Sequence, residues 1–202
     1  MIQEFVQEME NAMREATYDI HTAIPGTILK FDPASGTATV KPSGKIGMKN
    51  GERLEYPQII KVPVIFPQGK KFTLAYPISP GDGCLIIVCE NDMKPWSSNG
   101  QETDSNMKFD LTNSVCIPGL YRTGNDAMMK AVKENAIVLK NEDTEIMLKK
   151  DGMTAGYKEN FIEMGKTSVN IGCSGCSILV GKNGISIEGN LNVNGVVSSR
   201  EE

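Results

Sequence analysis

"TSVNIGCSGCSILVGKNGISIEGNLNVNG", Thr167–Gly195, sets apolar side chains two apart and follows each pair with a turn. The pairs are Val169/Ile171, Ile178/Val180, Ile185/Ile187 and Leu191/Val193. Gly172, Gly181, Asn183-Gly184, Gly189-Asn190 and Asn194-Gly195 punctuate them. A period of two predicts β-strands, and Gly and Asn suit the turns between them. The same pattern runs upstream through Ile137/Leu139, Ile146/Leu148, Met153/Ala155 and Ile162/Met164. From about residue 135 to 197 the chain is an imperfect strand-and-turn repeat, spaced about six to nine residues with one longer gap, the mark of a β-solenoid or β-helix.

Strands this short bury too little to stand alone. Eight of them with two inward residues each give about sixteen core side chains. Burying one medium apolar side chain gains about 1.5–3 kcal/mol, while ordering each residue costs about 1–2 kcal/mol. About sixty ordered residues therefore outweigh the burial. Several chains wound round one axis resolve the deficit, and three chains suit two inward residues per strand. The expectation is an intertwined homotrimeric β-helix prism over residues 135–202. Its core comprises Ile146, Leu148, Ile162, Val169, Ile171, Cys173, Cys176, Ile178, Val180, Ile185, Ile187, Leu191 and Val193. Eight layers at about 4.7–4.9 Å make it about 40 Å long, more than the ~30 Å of a bilayer's hydrocarbon.

Residues 22–120 read differently. "GTILKF", "DPASG" and "TATVKP" form strand, turn and strand. "KVPVIFP" alternates around Pro63, which suggests an edge or bulged strand. "SPGDG" is a sharp turn into "CLIIVCE", a continuous apolar run suited to a central, doubly buried strand. With "SVCIPGL" this makes about five strands and no long helix between them, which fits a five-stranded OB-type barrel. Residues 121–134 are a linker. The fold class is all-β, with one helix at the N-terminal end.

That helix covers residues 1–21. Ile2, Phe5, Val6, Met9, Ala12, Met13 and Ala16 follow helical spacing. The stripe either packs on its own domain or docks a partner. In the docking reading Phe5, Val6, Met9 and Met13 make the contact.

Ordered pieces of the barrel carry a family resemblance: "AIPGTILKFDPASGTATVKP", then "VPVIFPQGKKFTLAYPISPGDGCLIIVCENDMKPWSSNG", then "KFDLTNSVCIPGL". Residues 22–120 resemble the N-terminal OB domain of the central spike of contractile phage tails and phage-tail-like bacteriocins. The resemblance implies a trimer beneath the tail tube, with OB domains docked to the baseplate hub. It implies a C-terminal β-helix that sheath contraction drives through the target cell envelope. Many such spikes end in an H-x-H motif that holds iron. His21 is the only histidine here, so an iron apex of that type is not expected. The tip is metal-free or capped by a separate protein.

Composition removes other classes. A net charge of −4 and 6% aromatic residues argue against nucleic acid as a partner, so the basic clusters Lys70-Lys71 and Lys41 to Arg53 read as solvated surface. An OB-fold nucleic-acid module and a trimeric receptor-binding tail fibre are the rival readings. No apolar run approaches a membrane span. "MIQEFVQEMENAMREA" lacks the blocks of a secretion signal. The expected route is synthesis in the bacterial cytoplasm, then assembly into a phage tail baseplate or an extracellular tailocin particle.

No catalytic residue, cofactor or metal site is expected, and the protein does not read as an enzyme, since no nucleophile, base and orienter set is visible. Asp82 in "SPGDGC" reads as a turn residue, and Trp96 as barrel-rim packing. Cys173-Ser-Gly-Cys176 could hold zinc or exchange thiols. Zinc needs two more ligands that are absent nearby. Cys173 continues the register of Val169 and Ile171, and Cys176 begins that of Ile178 and Val180, so both read as small core residues around a Ser174-Gly175 turn.

Overall fold

The computed structural model describes residues 2–18, 20–47, 51–94 and 107–198. The chain divides into two compact units, Met1–Arg122 and Thr123–Glu202. Trp96 and residues 48–50 of the Lys41–Arg53 cluster lie outside the described residues.

The first unit begins with helix α1 (Ile2–Tyr18), as the helical spacing predicts. Among the described residues nine strands follow: β1 (Ala23–Asp32), β2 (Thr37–Pro42), β3 (Lys45–Gly47), β4 (Arg53–Glu55), β5 (Ile59–Pro63), β6 (Gln68–Gly69), β7 (Phe72–Thr73), β8 (Gly83–Val88) and β9 (Ser114–Pro118). Five of them make an antiparallel sheet in the order β5-β2-β1-β8-β9. The sheet curls until its edges meet. Val64, just past β5, bridges Cys116 of β9 in parallel, and the Ile65 amide donates to the Cys116 carbonyl at 2.8 Å. Closure through a parallel pair between the third and fifth strands is the arrangement of a five-stranded OB-type barrel.

Turn chemistry sets the register at each end. Asp32 caps the β1–β2 turn by accepting from the Ala34 amide at 3.1 Å and the Ser35 hydroxyl at 2.7 Å. The Ser35 bond, helped by the Ala34 amide, holds the Asp32 carboxyl below its usual range. Gly36 completes the turn at φ +65°. The edge position foreseen for Pro63 is found: β5 is an edge of the five-stranded sheet, its register against β2 slips between Ala38 and Val40, and Lys61 sits at φ +58°.

The core is self-contained. Ile28, Ala38, Val40, Ile59, Val62, Val64, Cys84, Ile86 and Cys116 are all buried, with Phe31, Phe66, Ile78 and Leu111 packed against them. The apolar run of β8 needs one correction. The strand is flanked on both sides, but only Cys84, Ile86 and Val88 are buried, while Leu85 and Ile87 are half-buried. A barrel has a single inside, so alternate residues of even an all-apolar strand must face out.

The second unit is helix α2 (Asp126–Glu134) followed by seven strands: β10 (Ile137–Asn141), β11 (Thr144–Lys149), β12 (Gly152–Tyr157), β13 (Asn160–Met164), β14 (Ser168–Cys173), β15 (Cys176–Gly181) and β16 (Gly184–Glu188). They form one sheet in sequence order, each antiparallel to the next. The chain zigzags through hairpins and does not coil about an axis of its own. Seven apolar pairs sit on these strands. The eighth, Leu191/Val193, is outside the sheet: β16 ends at Glu188 and Gly189 turns to φ +119°. Alternation alone did not make a strand there: among the described residues nothing pairs with it. Seven strands at about 4.7–4.9 Å span about 33 Å, shorter than eight layers would be.

The stretch read as a linker contains α2. Asn125 caps its start by accepting from the Met128 amide at 2.9 Å. Asn135 closes its end in the left-handed region at φ +47°, and its own amide donates to the Val132 carbonyl at 3.3 Å. These are ordinary N-cap and C-cap devices.

Candidate assembly surface

Pairing in the second unit puts two side-chain rows in register on one face of the sheet. One row runs Ile137, Leu148, Met153, Met164, Val169, Val180, Ile185. The other runs Leu139, Ile146, Ala155, Ile162, Ile171, Ile178, Ile187. Every position in both rows is apolar. Side chains two apart on a strand share a face, so a register slip of one residue anywhere would break the rows. The exposed members range from 36% at Ile146 to 68% at Ile185. The described residues of the chain leave this face uncovered.

The expected core residues of 135–202 therefore fall into one array, with two exceptions in kind. Leu191 and Val193 lie beyond the last strand, 67% and 46% exposed. Cys173 and Cys176 belong to the same face but flank it, paired with each other at the end of the β14–β15 hairpin. Both are exposed in the chain, so their reading as core residues depends on whatever covers the face. Among the described residues no cluster of three or more His, Cys, Asp or Glu could hold a metal ion.

The opposite face is mixed: Val138, Met147, Thr154, Glu163, Asn170, Leu179 and Ser186 form one of its rows. Phe161 lies over Gly172, where a Cβ would sit 2.6 Å from the ring. An aromatic side chain covering a cross-strand glycine is a known way to shield such a site. Helix α2 crosses the same face on ion pairs. Lys130 binds Glu145, Lys149 binds Glu134 at 2.7 Å, and Lys140 approaches Asp126 at 3.9 Å. Met147 lies between Glu145 and Lys149 on β11 and is buried. The Lys149 hydrogen bond and charge hold the Glu134 carboxyl below its usual value. Lysine also laces neighbouring turns along the sheet margins, Lys158 to Asp143 at 3.6 Å and Lys166 to Asp151 at 3.0 Å.

In the first unit, Phe5, Val6, Met9 and Met13 form an exposed apolar stripe on α1. Asp82 does turn work. It accepts from the Ser79 amide and from the Tyr121 hydroxyl, each at 2.7 Å. The bond to Asp82 raises the Tyr121 hydroxyl above its usual range. Cys84 and Cys116 are wholly buried in the barrel, and their mutual hydrogen bond and burial push the Cys116 thiol far up. They are packing groups.

What sequence reasoning missed is the polar seat of α2. The signal was present in Asn125 and Asn135, which bracket the nine residues of the helix, but the helix presents charge inward. Met128, Met129 and Val132 are exposed.

Residues 24–119 match the family model described as the phage protein Gp138 N-terminal domain. The matched span begins in β1 and ends just after β9, so it is the barrel. The match supports a phage structural protein. No curated protein matches the chain.

Proposed function

We propose that the chain is the central spike of a contractile injection particle, a phage tail or a tailocin, built as a homotrimer. The barrel and α1 attach it to the baseplate hub, with Phe5, Val6, Met9 and Met13 as the docking stripe. The sheet unit points towards the target envelope and transmits force. One observation carries this reading: two unbroken apolar rows, seven side chains each, on a sheet face that the described residues of its own unit leave open. Three copies related by a threefold axis would turn those rows inward and leave the mixed face, with α2 and its ion pairs, to water. The phage domain match supports the setting.

Mechanically, the proposed prism would draw stiffness from backbone ladders in every layer. Its long edges are hairpin turns, so among the described residues the strand edges of this sheet are β10 and β16 at the two ends. Short, protected edges do not recruit foreign strands. No chemistry is required of it: the protein is not an enzyme in this reading and needs no cofactor, no metal and no nucleic acid. In this reading the tip is metal-free or capped by a separate protein.

Sedimentation of the purified full chain tests the proposal. The expected mass is three times the 22.0 kDa of one chain. A folded monomer with residues 137–188 intact would overturn it. Specific adsorption of the isolated protein to whole cells would favour a receptor-binding fibre instead.

A further inference from the structure

We propose that Cys173 and Cys176 are an oxidisable dithiol that closes into a disulfide within one chain, stapling the β14–β15 hairpin. The two residues are direct register partners, Cys173 opposite Cys176, with only Ser174 and Gly175 between them. Gly175 at φ +84° makes the tight turn. Directly paired antiparallel residues have Cα atoms about 4.5–5.5 Å apart, inside the about 4.4–6.8 Å that a disulfide bridges. Their Cβ atoms start about 4.5–5.5 Å apart and need to close towards about 3.8 Å. Cys173 and Cys176 are the last and first residues of their strands, where only a two-residue turn resists that movement.

The rest of the molecule sets the pair apart. Cys84 and Cys116 are wholly buried in the barrel, and burial raises the thiol of Cys89. Cys173 and Cys176 alone among the five are exposed. Neither is tied up: the Cys176 sulfur rests beside Gly189, 2.9 Å from where a side chain would begin. The sulfur thus sits on the β16 side of its strand, and a rotation about its χ1 bond turns it towards Cys173. The end of the sheet where they sit is also polar. The pairs in the corresponding row of earlier strands are Asn141/Thr144 and Tyr157/Asn160. The thiols thus lie at the wet margin of the apolar face, reachable by a small oxidant.

The chemistry is thiol–disulfide exchange with a low-molecular-weight disulfide such as oxidised glutathione. One thiolate attacks a sulfur of the oxidant, forming a mixed disulfide and releasing one small thiol. The second thiolate then attacks the protein sulfur of that mixed disulfide. The intrachain S–S bond forms and the second small thiol leaves. The cysteine pair loses two electrons and two protons, and the oxidant gains them. In a reducing cytoplasm the pair stays open, and in an oxidising exterior it closes. That timing rests on the proposed extracellular particle. The bridging chemistry does not.

The full chain incubated with oxidised glutathione, then denatured, alkylated and weighed, tests this. A reduced chain takes up five alkyl groups, one per cysteine. The bridged chain takes up three, is lighter by two hydrogens before alkylation, and yields a peptide containing both Cys173 and Cys176. Dithiothreitol restores five. The Cys173→Ser variant should instead keep a glutathione adduct on Cys176. The proposal is overturned if all five sites alkylate after oxidation, if the wild type stops at a stable single adduct, or if a non-reducing gel shows chains joined to one another. It is also overturned if protection is removed by a chelator with no change in mass, which would mean a thiol-held metal. Sedimentation of the same samples reads the trimer separately, so either idea can fail without the other.

Discussion

The barrel and the sheet are written in the same local code and end in opposite states. Both place apolar side chains two apart on antiparallel strands. In the barrel, Ile28, Val40 and Ile86 are completely buried; in the sheet, their counterparts Ile162, Ile171 and Ile178 are 42–47% exposed. The difference is closure. The barrel's five strands curl until Val64 meets Cys116, so one chain supplies the whole wall. The sheet is a meander of seven short strands whose ends never meet, and its apolar rows remain an unfinished interior. Alternation specifies that a face is to be buried. It does not specify by what.

The sharpest way to break this comparison is a charge on the open face. Ile171→Asp sits between Ile162 and Ile178 in the proposed trimer core. Three carboxylates would meet near one axis without partners, a cost of several kcal/mol. Sedimentation should show the trimer lost, while the barrel's thermal transition persists. A normal trimer from this variant would mean the apolar rows are not the interface.

Next comes a change that strikes the closed region alone. Gly83 opens β8, and a Cβ there would lie 1.8 Å from the Leu120 carbonyl oxygen. Backbone cannot swing aside as a side chain can, and the neighbouring Gly119 amide donates to the Gly83 carbonyl at 3.0 Å. Gly83→Ala should destabilise the barrel by about 1–3 kcal/mol or more, the usual range for overpacking. Urea unfolding should show the barrel's transition moved and the trimer mass unchanged. Equal loss in both units would mean the two fold as one.

Much of this architecture was legible because period-two alternation and turn residues are local signals. The rows from Ile137 to Ile187 could be written down from spacing, and so could the edge role of β5 from Pro63. Three things were not legible. Closure of the barrel depends on a long-range parallel pair, Val64 with Cys116, which no spacing encodes. The eighth pair, Leu191/Val193, alternates as well as the others, yet among the described residues no strand hydrogen-bonds it. Helix α2 escaped for a third reason. Its ion-paired side faces the sheet, so apolar periodicity points the wrong way.

A smaller effect separates the two faces of the sheet. Phe161 is on the mixed face, covering Gly172. Phe161→Ala removes that cover but touches neither apolar row. A cross-strand aromatic contact is worth about 0.2–1 kcal/mol, so a loss of about that size is expected in the urea midpoint, with sedimentation unchanged. Dissociation of the trimer would mean that the face with α2, and not the apolar one, holds the copies together.

The smallest effect is the most diagnostic for α2, because it concerns charge where the rest concerns packing. Glu134 is held below its ordinary value of 4.5, first by its hydrogen bond from Lys149 and then by that lysine's charge. A carboxyl depressed on folding stabilises the folded state above its unfolded value, and that contribution fades as pH falls through the folded one. Docking of α2 should therefore be constant at neutral pH and weaken as pH drops below about 4.5. The side chain is 32% exposed, so the change is small and screened by salt. Backbone amide exchange over residues 126–134 reads it directly: protection should fall with acid in the wild type and be lower and flatter in Glu134→Gln. The apolar rows contain no titratable group, so amides of β14 and β15 should stay protected across the same range. Acid loss of protection in both places at once would mean that α2 helps to hold the sheet together.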